Sequence, residues 1–218
     1  LSDCYATCSD ESSKAKIQEF VQRYVHGFSP TVSSPDYGGV QISELCLPVA
    51  VARQVGGDAN SRVNNASVVT RIDACGTSIL LCGDMEKEGW EFVLKRDSGN
   101  GMLARILYSV DCALWRRLVS HIDILVAPHH GHRSGFSVDL LNLARPAVVL
   151  VSAVSRDSNV DGRYSAPPVR GMTIGGTTYG YISTRQKGHI KIEMHPPAVA
   201  SAHPYGATYW TFGENALQ

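Results

Sequence analysis

Blocks of apolar residues alternate with polar, turn-forming residues along the middle of the chain, and their spacing predicts strands and helices in turn. Short, nearly continuous apolar runs are typical of buried strands, whereas apolar residues three and four positions apart are typical of one helix face. The predicted strands span residues 45–51, 66–73, 77–82, 122–127 and 147–151. The predicted helices span residues 14–28, 86–96, 102–120 and 137–143. Strands that alternate with helices indicate an α/β fold with a mixed sheet.

Turn-forming residues and a terminal hairpin complete the predicted organisation. Residues 29–45 and 153–178 are rich in Ser, Pro and Gly and residues 56–65 are polar, so all three segments are predicted to be loops or turns. Residues 179–184 and 189–194 are predicted to pair as a hairpin, and the tail from Pro196 is predicted to be a loop. We therefore expect an N-terminal helix and loop over 1–44, a main domain over 45–195 and a C-terminal tail over 196–218.

The composition fits one globular domain and disfavours several partners. Of 218 residues, 44% are hydrophobic and 18% are charged, which is enough apolar surface for a core and too little charge for a disordered chain. Lys and Arg balance Asp and Glu at 20 each, so no overall field attracts nucleic acid or an acidic membrane, although a local basic patch is compatible with this balance. No apolar run approaches the roughly 20 residues of a membrane helix. The six cysteines form no CxxC pair, so we expect mostly reduced thiols in a cytoplasmic protein.

Asp84 is the first candidate for chemistry. It follows a predicted buried strand, after a glycine that lets the backbone turn sharply. A carboxylate in that place can bind one cation or bridge two. The run Asp84-Met85-Glu86-Lys87 equally suits the start of a helix, and the local sequence alone favours a helix N-cap over a ligand.

Histidines form the second candidate group. His129, His130 and His132 follow another predicted buried strand and a proline, and the whole chain has only eight histidines. Neutral imidazole is a common ligand for borderline metals such as zinc. Adjacent residues of an extended chain point to opposite sides, so one of His129 and His130 can bind a metal while the other packs, supports it or faces substrate. A surface histidine tract is the weaker interpretation of three histidines in four residues.

Other polar residues near these segments are more readily explained as structural. Asn64, Asn65 and Ser67 precede a predicted strand and are turn formers on their own. Ser134 suits a cap for the helix that follows the histidines. Asn159 and Tyr164 lie in the long irregular segment and are candidates for lining a pocket.

Five segments occur in a recognisable order and spacing between about residues 45 and 194. They are Asn64-Asn65-Ala66-Ser67 with the following strand, residues 79–84 ending in Gly83-Asp84, residues 123–131 ending in Pro128-His129-His130-Gly131, residues 146–152, and Thr184 with residues 188–192. Each segment is weak alone, but together they resemble the metallo-β-lactamase-fold domain of the ComEC-type competence proteins and related stand-alone hydrolases.

The resemblance implies an αββα sandwich, of which residues 45–195 supply mainly the C-terminal half. It implies that Asp84 is the carboxylate that bridges two metals, and that His129 and His130 belong to the histidine segment of the second metal. In such a site two zinc or manganese ions hold a hydroxide that attacks a phosphoester, and the metals lower the pKa of the bound water to about 7. His132, Ser134, Asn159 and Tyr164 are then expected to contact substrate.

The sequence departs from the family pattern in two places. The family's first metal motif, His-x-His-x-Asp-His or a close variant, has no counterpart, and His26 is the only histidine before residue 64. The late motif Tyr-Gly-His-Pro corresponds here to Tyr164-Ser165-Ala166-Pro167, without the histidine. We therefore expect a missing N-terminal half or a second subunit to complete the two-metal site.

Three functions stay open at this point. The first is part of a metal-dependent phosphoester hydrolase, phosphodiesterase- or nuclease-like, with nucleic acid as one candidate substrate; the retained Asp84 and histidines favour it. The second is a catalytically degenerate binding module of the same fold, which the absent first motif favours. The third is a hydrolase of small phosphoesters, such as a phosphocholine ester, which the balanced charge favours slightly.

Two structural expectations follow. Asp84 and at least one of His129 and His130 should lie within about 5 Å of each other, since shared metal ligation requires such closeness. One sheet face should need a partner to cover it, because a large apolar patch is rarely left exposed. The candidate residues of that face are Val68, Ile79, Leu81, Ile124, Val126, Val148 and Leu150.

Overall fold

Strands and helices alternate through most of the chain. The computed structural model describes residues 39–56, 58–95, 110–153 and 160–194, together with the backbone of residues 208–212, all within one compact unit, Ser34–Gln218. The strands are β1 Gln41–Cys46, β2 Val68–Ala74, β3 Thr77–Leu81, β4 Ile124–Val126, β5 Val148–Val151, β6 Met172–Ile174, β7 Thr177–Tyr179, β8 Tyr181–Ser183, β9 Ile190–Met194 and β10 Thr208–Phe212. The helices are α1 Val49–Ala52, α2 Ala59–Asn64, α3 Lys87–Leu94, α4 Cys112–Val119, α5 Val138–Ala144 and α6 Thr184–Lys187.

A six-stranded mixed sheet organises the domain, with strand order β1-β2-β3-β4-β5-β8. β2 pairs antiparallel with both β1 and β3, whereas β3, β4, β5 and β8 run parallel to one another. The register places Ile79, Ile124 and Val148 side by side across the parallel strands. The α/β fold with a mixed sheet is confirmed. The carboxyl ends of β3, β4 and β5 consequently meet at one edge.

Helices cover one face of this sheet and build the main core. Alternate strand residues, including Leu80, Leu125 and Val149, share this core with residues of α3, α4 and α5. Trp90 and Trp115 meet edge to face, with ring centroids 6.3 Å apart. Such aromatic pairs stabilise a core by about 0.5–1.5 kcal/mol beyond the burial of their surface. This packing gives the strand ends a rigid base.

The opposite sheet face is covered largely by the chain itself. Ile79, Ile124, Val148 and Leu150 are buried there, with partly buried residues of β6, β7 and β9 packed against them. The expectation that these four residues need a partner to cover them is therefore wrong, because strands late in the chain supply the cover. Val68 and Val126 are half-buried, and Leu81 at 37% exposure is the part of the predicted patch that reaches solvent.

The segments before β2 differ from the prediction. The predicted strand 45–51 divides into the end of β1 and the short helix α1, and β1 begins inside the predicted loop 29–45. The predicted turn 56–65 contains α2, which Asp58 caps by accepting a 2.8 Å hydrogen bond from the Ser61 N–H. Propensity missed α2 because its stability comes from that cap and from tertiary contacts rather than from an apolar face.

The C-terminal segments also differ. The hairpin predicted between 179–184 and 189–194 is wrong, because β8 joins the main sheet beside β5 and β9 pairs with β10. A helix that begins after Ser183, whose hydroxyl accepts from the Arg185 N–H, separates the two strands. The predicted loop 153–178 contains the β6–β7 hairpin, and the predicted loop after Pro196 contains β10.

The helices predicted after β3 are present wherever the structure describes them. The helix predicted over 86–96 is α3, which begins one residue later and ends two residues earlier, and that over 137–143 is α5, displaced by one residue. The helix predicted over 102–120 is helical from Cys112, because the Asp111 carboxylate caps its first turn; residues 102–109 lie outside the described part. The predicted helix 14–28 also lies outside it. No helix of the described ranges is long and apolar enough to cross a membrane.

Candidate functional site

Three loops meet at the carboxyl edge of the parallel strands. Gly83-Asp84 follows β3, His129-His130 follows β4 and Ser152 follows β5. The His129 N–H donates a 2.9 Å hydrogen bond to the Gly83 carbonyl, so the first two loops are joined directly. Loops held on a rigid sheet in this way are common positions for binding and catalytic groups.

A close backbone approach fixes the turn before Asp84. Gly83 has φ +57°, and a Cβ on it would lie 2.8 Å from the Ser67 Cβ. The Ser67 hydroxyl accepts a 2.9 Å hydrogen bond from the Asp84 N–H. Ser67 therefore has a specific role beyond turn formation, because it holds the backbone from which the Asp84 carboxylate projects.

The histidine loop has a left-handed backbone. His129, His130 and Gly131 have φ values of +48°, +56° and +77°. Our premise that the two histidines lie on extended chain is therefore wrong. Left-handed conformation costs a non-glycine residue about 1–2 kcal/mol, and such strain concentrates at functional sites. The turn is held by 2.9 Å hydrogen bonds from His132 N–H to the His129 carbonyl and from Asp161 N–H to the Gly131 carbonyl.

Asp84 and His130 face each other at this edge. Asp84 Oδ1 lies 3.6 Å from His130 Nε2, which confirms the predicted proximity, and the two side chains are 47% and 61% exposed. The distance exceeds a hydrogen bond. The N-cap residue of α3 is Glu86 and no side chain caps it, so the interpretation of Asp84 as the helix cap is wrong.

The backbone fixes the tautomer of His130. Its Nδ1 lies 2.9 Å from the Ser152 carbonyl oxygen. A carbonyl only accepts, so Nδ1 carries the proton and donates, which leaves Nε2 of the neutral ring with its lone pair toward Asp84. An imidazole that donates its other N–H to a backbone carbonyl is the usual arrangement of a metal-binding histidine.

His129 turns to a different carboxylate. Its Nδ1 lies 3.2 Å from Oε1 of Glu86, whose side chain is 7% exposed. Glu86 also accepts hydrogen bonds from the Ser61 hydroxyl (2.6 Å) and the Asn64 amide (2.8 Å), both on α2. A carboxylate oxygen at that distance repels a lone pair, so Nδ1 of His129 carries the proton and Nε2 is again unprotonated in the neutral ring. The structure thus separates the two histidines: His130 faces Asp84, and His129 faces Glu86.

Ser134 joins His129 to His132. Its hydroxyl lies 3.0 Å from Nδ1 of His129 and 2.9 Å from Nδ1 of His132, and its N–H donates to the same His132 nitrogen at 3.2 Å. All these contacts are satisfied when the Nδ1–H of His129 is shared between Glu86 Oε1 and the Ser134 hydroxyl oxygen, and the hydroxyl donates to Nδ1 of His132. Ser134 was predicted to cap α5, and this prediction is wrong. Ser137 caps the helix instead, by accepting a hydrogen bond from the Leu140 N–H.

Asn65 lies buried beneath these groups. Its side chain accepts from the Glu86 N–H and donates to the Val55 carbonyl, both at 2.9 Å. A Cβ on Gly89 would lie 2.5 Å from the Asn65 Oδ1, so α3 approaches this amide too closely for any side chain. Asn64 and Asn65 thus position Glu86, which turn propensity alone did not indicate.

The predicted substrate residues have different outcomes. Tyr164 is 1% exposed, so it cannot contact substrate at the surface; it packs edge to face on Phe136 with ring centroids 5.2 Å apart. Burial raises the pKa of the Tyr164 phenol well above its usual range. Asn159 lies outside the described residues. His132 and Ser134 are half-buried beside His129.

Sequence reasoning missed Glu86 and Ser152. Glu86 follows Asp84 by two residues, and a carboxylate so near a strand end was the available signal. Ser152 acts through its backbone carbonyl, which no side-chain pattern reveals. Cys82, in contrast, is a buried free thiol whose pKa burial raises, so it is unsuited to act as a nucleophile.

The described residues stop short of a complete metal centre. Within residues 39–56, 58–95, 110–153 and 160–194, no group of three or more His, Cys, Asp or Glu side chains is arranged to hold a metal ion. No protein family's sequence pattern matches the chain, and no curated protein matches it either. The arrangement itself offers one exposed carboxylate–imidazole pair, Asp84 and His130, supported by a buried polar network around His129.

Proposed function

We propose that this chain is part of a metal-dependent hydrolase that acts on phosphoester bonds, phosphodiesterase- or nuclease-like. The observation that carries the proposal is the 3.6 Å separation of Asp84 Oδ1 and His130 Nε2 at the carboxyl edge of the sheet. Among the described residues, neither atom forms a hydrogen bond that would account for the short distance between them. A carboxylate oxygen and an imidazole nitrogen are both good ligands for zinc.

The geometry of the pair suits a shared cation. Two ligand atoms at about 2.0–2.1 Å from a tetrahedral zinc ion lie about 3.3 Å from each other. The observed 3.6 Å is close to this value, so small side-chain rotations would bring both atoms onto one ion. The Ser152 carbonyl already holds His130 in the ligand tautomer. The residues present therefore fit zinc, or manganese, as two members of a ligand set.

The chain's own residues would orient and support that ligand set. Ser67 and the turn at Gly83 set the direction of Asp84, and Ser152 sets the ring of His130. Glu86 and Ser134 hold His129 with Nε2 unprotonated, which makes His129 a third candidate ligand. A bound metal pair would supply an activated hydroxide and stabilise charge on the leaving oxygen.

Further ligands must come from outside the described residues, and we propose an N-terminal half or a second subunit as their source. The sheet face that carries Ile79, Ile124 and Val148 does not require that partner, because residues of β6, β7 and β9 cover most of it. The argument is the ligand count, since Asp84, His129 and His130 are fewer than a two-metal site requires.

The test is hydrolysis of bis(4-nitrophenyl) phosphate by this chain together with the N-terminal half or second subunit that completes the site, with added Zn²⁺ or Mn²⁺ and with bound metal measured on the same sample. We expect metal-dependent turnover that Asp84→Ala and His130→Ala remove while circular dichroism stays unchanged. Turnover that is equal in wild type and both variants would contradict the proposal. Comparing this diester with 4-nitrophenyl phosphate and phosphocholine would separate diesterase activity from hydrolysis of small monoesters.

One observation favours a second candidate, a catalytically degenerate metallo-β-lactamase-fold binding module. It is the lack of a three-ligand group in the described part of the chain. A degenerate module would stay folded and inactive even when every potential partner is supplied. Metal bound without turnover in the completed assembly would support this candidate over the hydrolase.

A further inference from the structure

A second group of charged side chains surrounds a cavity at the other edge of the sheet. The cavity measures about 420 Å³ and is lined by His121, Asp123, Ala144, Arg145 and Arg170. His121 and Asp123 precede β4 and Arg145 precedes β5, so they lie at the amino ends of these parallel strands. Asp84 and His130 follow the carboxyl ends. The cavity is therefore separate from the candidate metal centre.

Two residues on the cavity wall have a strained backbone. His121 has φ +54° and Arg145 has φ +46°. Arg145 is the C-cap of α5, where glycine is the common residue because it adopts this conformation without penalty. Hydrogen bonds from His121 N–H to the Leu143 carbonyl (3.1 Å) and from Arg145 N–H to the Leu141 carbonyl (2.8 Å) hold both residues in place. Arginine at this position costs about 1–2 kcal/mol of backbone strain that glycine would avoid.

Arg170 forms a fixed, positively charged wall. Its Nε donates to the Arg145 carbonyl at 2.9 Å and its Nη2 donates to Asp123 Oδ1 at 3.1 Å. The other Asp123 oxygen accepts from the N–H and hydroxyl of Ser78, at 3.0 and 3.1 Å. Asp123 thus forms an ion pair with Arg170, and the guanidinium plane of Arg170 is held in one orientation.

Arg145 adds a charge that no described acid offsets. Its side chain is exposed, and among the described residues no carboxylate lies within ion-pair distance of it. His121 is exposed as well, and among the described residues its ring has no hydrogen bond or ion pair. Among the described residues that line it, the cavity therefore combines two guanidinium groups and one imidazole with a single carboxylate.

We propose that this cavity binds the phosphate group of a small organic phosphate. The planar fork of Arg145 matches paired phosphate oxygens, and the ring of His121 offers a further donor. Arg170 holds the carbonyl of Arg145 in place and is not needed as a ligand. Ligand pockets commonly measure about 300–1,000 Å³, so a cavity of 420 Å³ leaves room for an organic part beside the phosphate. The site binds its ligand without a metal ion and is independent of the proposed hydrolase centre.

The test uses thermal unfolding in EDTA with increasing inorganic phosphate, against potassium chloride at matched ionic strength. We expect phosphate, and glycerol 3-phosphate more strongly, to raise the Tm of the wild-type chain relative to chloride. In Arg145→Gly the Tm in chloride should equal or exceed that of the wild type, since glycine relieves the backbone strain. Its phosphate affinity should fall about tenfold or more, as expected for a lost charged hydrogen bond.

The variant His130→Ala is the matched control, and its phosphate-dependent rise in Tm should equal that of the wild type. Two results would overturn the proposal: a wild-type Tm that phosphate and chloride affect equally, or an Arg145→Gly chain that keeps the full rise. Loss of the rise in His130→Ala alone would place the phosphate at the candidate metal centre and would overturn it too. None of these outcomes depends on whether the chain hydrolyses phosphoesters.

Discussion

Glu86 Oε1 lies 3.2 Å from Nδ1 of His129, although the two residues belong to different loops of the sheet edge. The carboxylate is buried, and Ser61 and Asn64 of α2 hold it through hydrogen bonds of 2.6 and 2.8 Å. α2, the start of α3 and the histidine loop are therefore joined by one side chain. This contact explains why His129 turns away from Asp84 while the adjacent His130 faces it.

Replacing Glu86 with Gln should destabilise the fold. The amide has one acceptor where the carboxylate has two, and its NH₂ group would face the protons of Ser61, Asn64 or His129. Leaving one buried donor unsatisfied costs about 1–3 kcal/mol, and we expect a loss of this size for Glu86→Gln in urea denaturation. Glu88→Gln, at an exposed position of the same helix, is the control and should be neutral. Equal stability of the two variants would mean that the Glu86 contacts contribute nothing.

Gly89→Ala should destabilise the protein even though alanine favours helices. In an open helix the change would stabilise by about 0.5–1 kcal/mol. Here the new Cβ would lie 2.5 Å from the Asn65 Oδ1, which accepts the Glu86 N–H, so the amide must move. Overpacking of this kind costs about 1–3 kcal/mol. Gly162→Ala, whose Cβ would meet nothing within 4 Å, provides the comparison by thermal unfolding. A gain in Tm for Gly89→Ala would disprove the close approach.

The proximity of Asp84 and His130 could be predicted from the sequence, because each follows a strand whose apolar run identified it as buried. The contact between His129 and Glu86 could not. Glu86 is held by Ser61 and Asn64. Both lie on α2, a helix without a buried residue, which residue patterns describe only as a polar turn. The pairing of β8 with β5 was missed for a similar reason, since strand neighbours in a parallel sheet depend on long-range packing rather than on the intervening turn.

Tyr164→Phe should leave stability unchanged or raise it. The Tyr164 hydroxyl is buried, and no group in the described part of the chain forms a hydrogen bond with it. Removing an unsatisfied polar group recovers up to about 1–3 kcal/mol. Tyr164→Ala should instead lose about 3–5 kcal/mol, because it leaves a cavity beside Phe136. Destabilisation by Tyr164→Phe in chemical denaturation would reveal a partner for the hydroxyl.

Asp161 should make the free energy of unfolding depend on pH. The Arg163 guanidinium, which bonds the carboxylate at 2.9 and 2.6 Å, lowers the pKa of Asp161 below its usual value. Because the pKa is lower in the folded state, the ionised carboxylate contributes its full stability above the unfolded pKa of about 3.9. This contribution is lost as the pH falls through the folded pKa. Asp161→Asn keeps a cap acceptor but no charge, so it should be less stable than wild type at pH 7, and the difference should shrink below about pH 4. A difference that is constant from pH 7 to pH 2 would exclude this ion pair as its cause.

Zinc affinity, measured by isothermal titration calorimetry on the wild-type chain, Asp84→Ala, His130→Ala and His121→Ala, tests whether the Asp84–His130 pair is a metal site. His121 is an exposed histidine at the other edge of the sheet, so its variant is the control for nonspecific binding by imidazole. We expect Asp84→Ala and His130→Ala each to weaken zinc binding by about a hundredfold or more, since loss of a supporting partner alone costs 10–100-fold. His121→Ala should bind zinc as the wild type does. Zinc affinity that is the same in all four proteins, or a wild-type chain that binds no zinc, would contradict the assignment.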